Sequence, residues 1–178
     1  MINLILATDN KGGIGYKGKL PWPALQQDMQ RFKELTTNNI CIMGSNTWHS
    51  LPNKPLPNRV NVVLSTQDYE LFPKANLVAP SDADVSAENL IPGLLKIFKR
   101  EWPTKDIFVI GGKNVYKDWI AFADYIYLTR IQESYDCDVF VDLSNLLNNC
   151  ALVKDTVVSD DTISYIMQEY KCNNLQGE

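Results

Sequence analysis

The sequence predicts an α/β fold, a mainly parallel central sheet with helices on both faces and an antiparallel hairpin at the C-terminal end. Short continuous apolar runs alternate with helix-like segments, which is typical of strands buried on both faces of a parallel sheet. Two of these runs end in glycine-containing turns that open helices. The C-terminal segment instead has strand-like runs with no helix between them, so we expect a hairpin along one edge of the sheet.

The elements are predicted in chain order from these patterns. Residues 2–8 (INLILAT) form a continuous apolar run and indicate the first strand, followed by a glycine-rich loop (DNKGGIGYKGKL) and a helix at 25–36. Further on we expect strands at 39–43, 60–65, 76–80, 106–112 and 125–131, helices in GSNTWHSL, LIPGLLKIFKRE and NVYKDWIAF, a strand-like run in DVFVDL, and hairpin strands within 150–170 joined by a turn at 159–161. Pro92 is compatible with its helix only in the first turn. At a later position the proline ring clashes with the carbonyl of a preceding residue.

Length and charge limit the class of protein to which this chain can belong. The 178 residues suit a single domain spanning 1–178, with a core at about 2–171. A net charge of −4 argues against a nucleic-acid partner, which needs a basic surface. The chain has no apolar run long enough to span a membrane and no basic segment typical of a signal peptide. We therefore expect a cytoplasmic protein without membrane or nucleic-acid partners, and a monomer.

The cysteines and the single histidine suggest no reactive centre. The four cysteines, at 41, 137, 150 and 172, show no C-x-x-C pair and are expected to be free thiols in a reducing compartment. No metal-site spacing occurs, so no metal is expected. His49 has no accompanying G-x-S-x-G motif, which disfavours a Ser-His-Asp triad.

Asp28 stands out within the helix predicted at 25–36. An apolar stripe of Leu25, Met29, Phe32 and Thr36 lies along one face, and Asp28 is at its edge. One interpretation is an acidic residue in the first helical turn, stabilised by the helix dipole. The other is a pocket carboxylate whose burial is offset by paired hydrogen bonds from a flat nitrogen heterocycle. The helix alone leaves both interpretations open.

Two strand ends indicate a ligand with phosphate groups. VIGGKNVY and GSNT each place small residues between a strand and a helix start, where backbone N–H groups favour an anion. Neither matches the P-loop pattern or a complete G-x-G-x-x-G, which disfavours a standard ATPase or dinucleotide-binding fold. Because parallel strands place their carboxyl ends at one edge, we expect the ligand there.

Five segments, read together, resemble dihydrofolate reductases. They are GIGYKGKLPW, the Asp28-x-x-x-Phe32-Lys33 spacing, MGSNTWHSL, PLPNRVNVVLS and VIGGKNVY, in family order at family-like spacing. The likeness covers residues 2 to about 141 and, more loosely, the tail hairpin. It implies a dihydrofolate reductase-like fold and reduction of 7,8-dihydrofolate to tetrahydrofolate by NADPH. It also implies a place in one-carbon metabolism and antifolate inhibitors as ligands.

The resemblance also implies catalytic roles. Asp28 would bind the pterin ring through N3 and the 2-amino group and assist protonation at N5 through water. Trp22 would hold that water, and Thr129 would orient the carboxylate. Leu20 and the loop at 12–19 would form a mobile lid, which glycines make easy to move.

The implied binding residues fall into two groups. For the substrate, Arg59 would clamp the α-carboxylate with its planar fork; the other expected contacts are Ile5, Ala7, Asp28, Met29, Phe32, Lys33, Ser50, Leu51, Lys54, Leu56, Ile110, Tyr116 and Thr129. For NADPH, the expected contacts are Ala7, Gly13, Ile14, Gly15, Tyr16, Lys19, Leu20, Gly44, Ser45, Asn46, Thr47, Leu64, Ser65, Thr66, Gln67, Ile110, Gly111, Gly112, Lys113, Asn114, Val115 and Tyr116.

Some positions depart from the family pattern. Ser45, Asn46 and Asn114 stand where many relatives carry basic residues for the cofactor phosphates, which weakens the expected preference for NADPH over NADH. Lys113 or Lys74 are the candidate replacements. Val139 replaces a common threonine in the lid region, whereas Asp138 keeps its acid.

Two other functions are compatible with parts of this pattern. One is a related reductase of a riboflavin-precursor pyrimidine, which shares the fold and cofactor but usually lacks the Leu-Pro-Trp and Asp28 pattern. The other is a non-catalytic folate- or nucleotide-binding protein of the same fold. The presence of Asp28, Trp22, Arg59 and Thr129 argues against the loss of catalysis.

Overall fold

The computed structural model describes residues 1–80, 86–159 and 163–173. Its strands and helices, in chain order, are β1 (Ile2–Thr8), β2 (Gly13–Gly15), α1 (Gln26–Thr36), β3 (Ile40–Gly44), α2 (Ser45–Ser50), β4 (Val60–Leu64), β5 (Leu77–Ala79), α3 (Ala87–Glu101), β6 (Ile107–Gly111), α4 (Lys113–Trp119), β7 (Tyr125–Ile131), β8 (Val139–Phe140), α5 (Leu143–Leu147), β9 (Cys150–Ser159) and β10 (Ser164–Cys172). Short 3₁₀ turns occur at Tyr69–Leu71 and Ile120–Phe122.

One eight-stranded sheet organises the fold, in the order β5-β4-β3-β6-β1-β7-β10-β9. The strands from β5 to β7 pair in parallel, and β10 and β9 add an antiparallel hairpin at one edge. The predicted fold class is therefore confirmed. The long apolar runs become central strands because both of their faces are covered, as in β3, where Ile40, Cys41, Ile42 and Met43 are fully buried.

The two faces of the sheet have separate cores. Leu4 and Leu6 of β1 pack with Ile91, Leu94 and Phe98 of α3 on one face. The alternate residues of β1 point the other way, since successive side chains of a strand face opposite sides. On that second face Ala7 packs against a cluster that includes Trp22 and Leu25, at the entrance to α1.

Two predicted elements differ in detail. The DVFVDL run does not join the hairpin: its short strand β8 pairs with β2 in a separate two-stranded sheet. Pro92 lies in the second turn of α3, not the first, because the helix begins earlier, at Ala87. Buried Ile91 and Leu94 flank this position, so packing of the apolar face offsets the missing backbone bond. The turn predicted at 159–161 begins at Ser159, and its other residues lie outside the described ranges.

The prediction of four free thiols is wrong for two of the cysteines. Cys150 and Cys172 form a disulfide. They are directly opposite in the register of β9 and β10, and the hairpin brings them together across a separation of 22 residues. Cys41 is free and buried as expected, and burial raises its pKa to about 12. Cys137 is also free, beside Asp9.

Two further features concern partners. Within the described ranges, no helix is both long and apolar enough to cross a bilayer. The same ranges contain no group of three or more His, Cys, Asp or Glu side chains arranged to bind a metal ion.

Candidate active site

Asp28 and Thr129 form the centre of the site. Asp28 is in the first turn of α1, and the Thr129 hydroxyl of β7 donates a hydrogen bond of 2.5 Å to its Oδ1. Thr129 pairs with Ala7 of β1 in the parallel register, so the carboxylate lies beside the carboxyl end of the central strand. The prediction that Thr129 contacts Asp28 is met by this geometry.

Burial dominates the electrostatics of this carboxylate. Loss of solvent raises the pKa of Asp28 above its ordinary value, while the Thr129 hydrogen bond and the nearby Arg31 charge partly lower it. The dipole of the first helical turn also favours the charged form of Asp28. The two interpretations of Asp28, a first-turn acid and a pocket carboxylate, are therefore compatible. As a carboxylate, Asp28 is able to accept two parallel donors, and its raised pKa makes it a better proton acceptor than an exposed aspartate.

The apolar residues expected to line the pocket differ in how deeply they are buried. Ile5 is buried, and Phe32 is half-buried next to Asp28 on α1. Leu51, Leu56 and Ile110 are partly buried against the Met43, Trp48 and Phe72 cluster. Met29 differs from these residues, because its side chain is 59% exposed and does not pack against the core.

Tyr116 links the centre to the adjacent strand ends. Its hydroxyl donates to the Ile5 carbonyl at 2.9 Å, and burial raises its pKa. The predicted apolar wall residue is thus a buried hydrogen-bond donor that fixes α4 against β1. Asp28 also raises the pKa of Tyr116, so the two side chains are close enough to interact electrostatically.

The predicted cofactor residues collect at one edge of the sheet. Strands β3, β4 and β6 are neighbours, and Met43 of β3 is in register with Gly111 of β6. Their carboxyl ends bring together Gly44, Ser45, Asn46 and Thr47 with Leu64, Ser65, Thr66 and Gln67, and with Gly111, Gly112, Lys113, Asn114 and Val115. Ser65 is buried and its hydroxyl accepts from the Gln67 N–H at 3.0 Å.

A glycine cradle lies between α2 and α4. A Cβ added to Gly111 would stand 3.0 Å from the Thr47 hydroxyl oxygen, and one added to Gly44 would stand 3.3 Å from Val115 Cγ2. Side chains at these positions would fill the space in which backbone N–H groups can meet phosphate oxygens. The residues present therefore fit a cofactor with a pyrophosphate group.

The loop predicted as a lid is hydrogen-bonded both to Asp138 and within itself. Lys17 N donates to Asp138 Oδ2 at 2.8 Å, and Asp138 N donates to the Gly15 carbonyl at 2.9 Å. Tyr16 and Lys19 bond to each other, and Leu20 at the tip is 62% exposed. A cavity of about 550 Å³ opens between this loop and α2, lined by Gly18, Asn46, His49, Ser50, Asp138 and Val139.

The predicted cations and Ser50 differ in whether neighbouring groups already bind them. Arg59 donates from Nε to Thr36 Oγ1 and from Nη1 to the Pro57 carbonyl, and its guanidinium is 5.9 Å from the centre of the Phe32 ring. Lys54 donates to the His49 and Leu51 carbonyls, and Ser50 donates to the Thr47 carbonyl. Lys33 is exposed on α1. The structure therefore joins Arg59 to the Asp28 helix but commits the Lys54 ammonium to backbone carbonyls.

Comparison with known proteins identifies the family. A family model described as dihydrofolate reductase matches residues 1–172. The chain belongs to the dihydrofolate reductase family.

Similar proteins span nearly the whole chain. The viral dihydrofolate reductase of Saimiriine herpesvirus 2 (strain 488) is 36% identical over 172 residues, covering 91% of this chain and 78% of the relative. The dihydrofolate reductase of Sus scrofa is 33% identical and covers 97% of this chain and 98% of its own. A structure of dihydrofolate reductase from Enterococcus faecalis, complexed with NADP(H) and RAB-propyl, superposes with a TM-score of 0.77 at 29% identity, covering 97% and 96% of the two chains.

Two functional candidates within this dihydrofolate reductase fold were missed from the sequence. Asp9 is fully buried and accepts from the N–H groups of Lys11, Gly13 and Tyr135, so it fixes the base of the lid loop. A D-N-K-G turn is a local signal for such a carboxylate, since aspartate side chains bond the backbone two residues on. Arg31, one turn after Asp28, had only helical spacing as a signal.

Proposed function

We propose that this protein reduces 7,8-dihydrofolate to tetrahydrofolate with NADPH, and that Asp28 is the acid of the pterin pocket. The observation that carries the proposal is the buried carboxylate of Asp28, bonded to Thr129 beside the strand ends that form the glycine cradle. The protein is an NADPH-dependent oxidoreductase of the dihydrofolate reductase family. Antifolates that offer paired N–H donors would occupy the same pocket.

Asp28 binds and orients the ring. Its two oxygens accept from the N3 hydrogen and the 2-amino group of the pterin, and Thr129 holds the carboxyl in that orientation. The raised pKa of Asp28 favours transient uptake of a solvent proton once the ring is bound. That proton passes to N5 through water that Trp22 helps to position, which leaves Asp28 as a carboxylate again. NADPH supplies the hydride when it is bound.

The remaining residues bind and enclose the two flat rings. The residues that would hold the phosphates and adenosine side of NADPH are Gly44 to Thr47, Ser65 to Gln67 and Gly111 to Asn114, with Lys113 as a candidate replacement for the missing cations. Ile5, Phe32, Leu51 and Ile110 form the apolar wall, and Arg59 binds the α-carboxylate of the substrate. Leu20 and the loop of β2 exclude water when the lid closes over the rings.

The direct test is a spectrophotometric assay. The protein is mixed with NADPH and dihydrofolate, and the absorbance of the reduced nicotinamide is followed; we expect it to fall only when both are present. A methotrexate-type antifolate that binds without any NADPH consumption in the assay would favour the non-catalytic alternative. Consumption with a riboflavin-precursor pyrimidine but not with dihydrofolate would favour the related reductase. Repeating the assay with NADH measures the effect of Ser45, Asn46 and Asn114 on cofactor preference.

Thr129→Val should lower kcat about tenfold at pH 7. The substitution keeps the shape of the side chain but removes a hydrogen bond to a charged group, worth about 1.5–3 kcal/mol. Because that bond lowers the pKa of Asp28, its loss raises the pKa further and leaves the carboxyl less well oriented. Steady-state kinetics measure the effect, with Thr156→Val on the exposed strand β9 as the matched control. Equal rates for Thr129→Val and wild type would contradict the orienting role.

We also propose that the protein acts as a monomer and binds no nucleic acid. A net charge of −4 leaves no excess of cations for a phosphate backbone. We propose a cytoplasmic location, as predicted from the sequence. The free thiols expected at Cys150 and Cys172 do not support this proposal, because these two cysteines form a disulfide.

A further inference from the structure

Arg31 is a buried cation next to the candidate acid. It lies three residues after Asp28 on α1, so the two side chains share one face of the helix. Only 14% of the Arg31 side chain is exposed. A charged group with so little solvent needs compensation from its surroundings, because burying a guanidinium costs free energy unless it is paired and hydrogen-bonded.

Two strands clamp the guanidinium of Arg31 from the sheet side. Its Nη2 donates to the Gln168 carbonyl of β10 at 3.0 Å and lies 3.6 Å from Glu169 Oε1. Its Cζ is 5.2 Å from the centre of the Tyr127 ring of β7. Tyr127 and Glu169 are directly paired across β7 and β10. The cation is therefore held by a backbone carbonyl, a carboxylate and an aromatic face.

Helix α1 and strand β7, which place Arg31 beside Tyr127, also place Asp28 beside Thr129. Thr129 is two residues after Tyr127, so both side chains lie on the same face of β7. Asp28 bonds to Thr129, and Arg31 contacts Tyr127. The Asp28–Thr129 and Arg31–Tyr127 contacts are consecutive contacts between one helix and one strand. The position of the cation relative to the carboxylate is thus fixed by the packing of α1 on β7.

The charge of Arg31 is only partly neutralised where it lies. Its Nη1 is buried and has no hydrogen-bond partner among the residues that the structure describes. Glu169, its counter-charge, is shared with Lys154 of β9, whose Nζ is 3.8 Å from Oε1. The remaining positive field extends along α1 toward Asp28, through an interior where charges are weakly screened.

We propose that Arg31 is a positioning residue of the reduction, a clamped cation that keeps Asp28 charged in the free pocket so that the pterin ring meets a carboxylate. The inference deepens and rests on the proposed function. It assigns no contact between Arg31 and the substrate. The residue acts through Asp28 and is held in place by the Gln168 carbonyl and the Tyr127 ring as well as by Glu169.

The electrostatic balance around Asp28 supports this role. Burial raises the pKa of Asp28, and the Arg31 charge and the Thr129 hydrogen bond oppose it. The groups that face the pair are Tyr116 from α4, Tyr127 from β7, Glu169 from β10 and, beyond it, Lys154 from β9. Glu169 and Asp28 both raise the pKa of Arg31 against the effect of its burial. Among the residues that the structure describes, Arg31 is the side chain whose positive charge lowers the pKa of Asp28.

The test measures the titration of Asp28 in the unliganded full chain. Aspartate labelled with ¹³C gives a carboxyl resonance that is assigned by its disappearance in Asp28→Asn, and its midpoint is followed with pH. In Arg31→Met the midpoint should move up by about one pH unit, since an opposite charge at this range lowers a carboxyl pKa by about 1–3 units. The high-pH fall of the NADPH oxidation rate should move up with it, because the carboxyl then holds its proton more tightly.

Four further variants separate electrostatics from packing. Arg31→Lys keeps the charge and should titrate near wild type, and Arg31→Gln, which retains a donor for the Gln168 carbonyl, should shift like Arg31→Met even if the methionine variant does not fold. Glu169→Gln removes a negative charge and must not move the midpoint up. Lys99→Met removes one exposed positive charge on α3, which packs on the opposite face of the sheet, and should leave the midpoint unchanged.

An unchanged Asp28 midpoint in both Arg31→Met and Arg31→Gln overturns the inference, as does an equal upward shift in Glu169→Gln. These outcomes are distinct from a failure of the proposed function. If the wild-type protein consumes no NADPH with dihydrofolate, the proposed function is wrong whatever the titration gives. If it does consume NADPH and the midpoint does not move, only the role of Arg31 is wrong.

Discussion

Asp28→Asn should lower kcat for dihydrofolate reduction at pH 7 by about 100-fold or more. General acid catalysis by a positioned side chain contributes about 10²–10⁴-fold, and asparagine cannot hold or relay the proton. The amide keeps the size of the side chain, and its oxygen can still accept from Thr129. Steady-state assays with NADPH and dihydrofolate at several pH values measure the effect.

The pH dependence of that loss has a definite sign. Wild-type turnover falls as the pH rises above the pKa of the protonation step, because fewer molecules carry the proton. In Asp28→Asn the ring must take its proton from solvent, which is easier in acid. The ratio of wild-type to variant rates should therefore shrink as the pH is lowered.

Loss of stability cannot account for such a result. The pKa of Asp28 is raised in the folded protein, so the folded state binds this proton more tightly than the unfolded state does. The charged carboxyl therefore disfavours folding at pH values above the folded pKa, and this cost disappears as the pH falls through it. Replacing it with a neutral amide should leave the melting temperature at pH 7 unchanged or higher. Asp155→Asn, on the exposed face of β9, is the matched control and should keep full activity. Near-wild-type kcat in Asp28→Asn at pH 7 would contradict the assignment.

Strands buried on both faces were the most predictable parts of the fold. β1 and β7 have the predicted bounds, because each is a continuous apolar run flanked by polar residues. Val139 and Phe140 were less predictable, since a two-residue exposed strand carries no signal for its partner, which here is β2. The Cys150–Cys172 disulfide depends on the register of a hairpin, and spacing along the chain contains no such information.

The candidate site also has a part that the sequence predicted and a part that it did not. The pattern around Asp28 was visible in α1, but helix spacing could not separate a dipole-stabilised acid from a pocket carboxylate. Its hydrogen bond joins residues 101 positions apart, a contact made by packing of α1 on β7. Arg31 was overlooked because its partners, Gln168 and Glu169, come from the last strand of the sheet. Local sequence predicts the secondary-structure elements and the polar strand ends that can bind a ligand. Electrostatic interactions between side chains of different elements become visible only in the folded structure.

Gly111→Ala should weaken NADPH binding about tenfold or more and lower the free energy of unfolding by about 2–4 kcal/mol. The φ angle of Gly111 is +130°, a region that costs a side-chain-bearing residue about 1–3 kcal/mol. The new methyl group would also stand 3.0 Å from Thr47 Oγ1 and 3.3 Å from the Tyr116 hydroxyl, so the cradle between α2 and α4 must deform. Urea denaturation measures the stability, and a fluorescence titration with NADPH measures the dissociation constant.

Gly93→Ala provides a control of opposite sign. Gly93 lies within α3, and a Cβ added there meets no atom within 4 Å. Alanine is favoured over glycine inside a helix by about 0.5–1 kcal/mol, so this variant should be as stable as wild type or more stable, with unchanged NADPH affinity. Comparing Gly111→Ala with Gly93→Ala isolates the effect of backbone conformation. Each change adds one methyl group, but only Gly111 has a positive φ angle and lies at the end of β6, in the glycine cradle. NADPH affinity equal to wild type in Gly111→Ala would show that the glycine cradle is not where the cofactor binds.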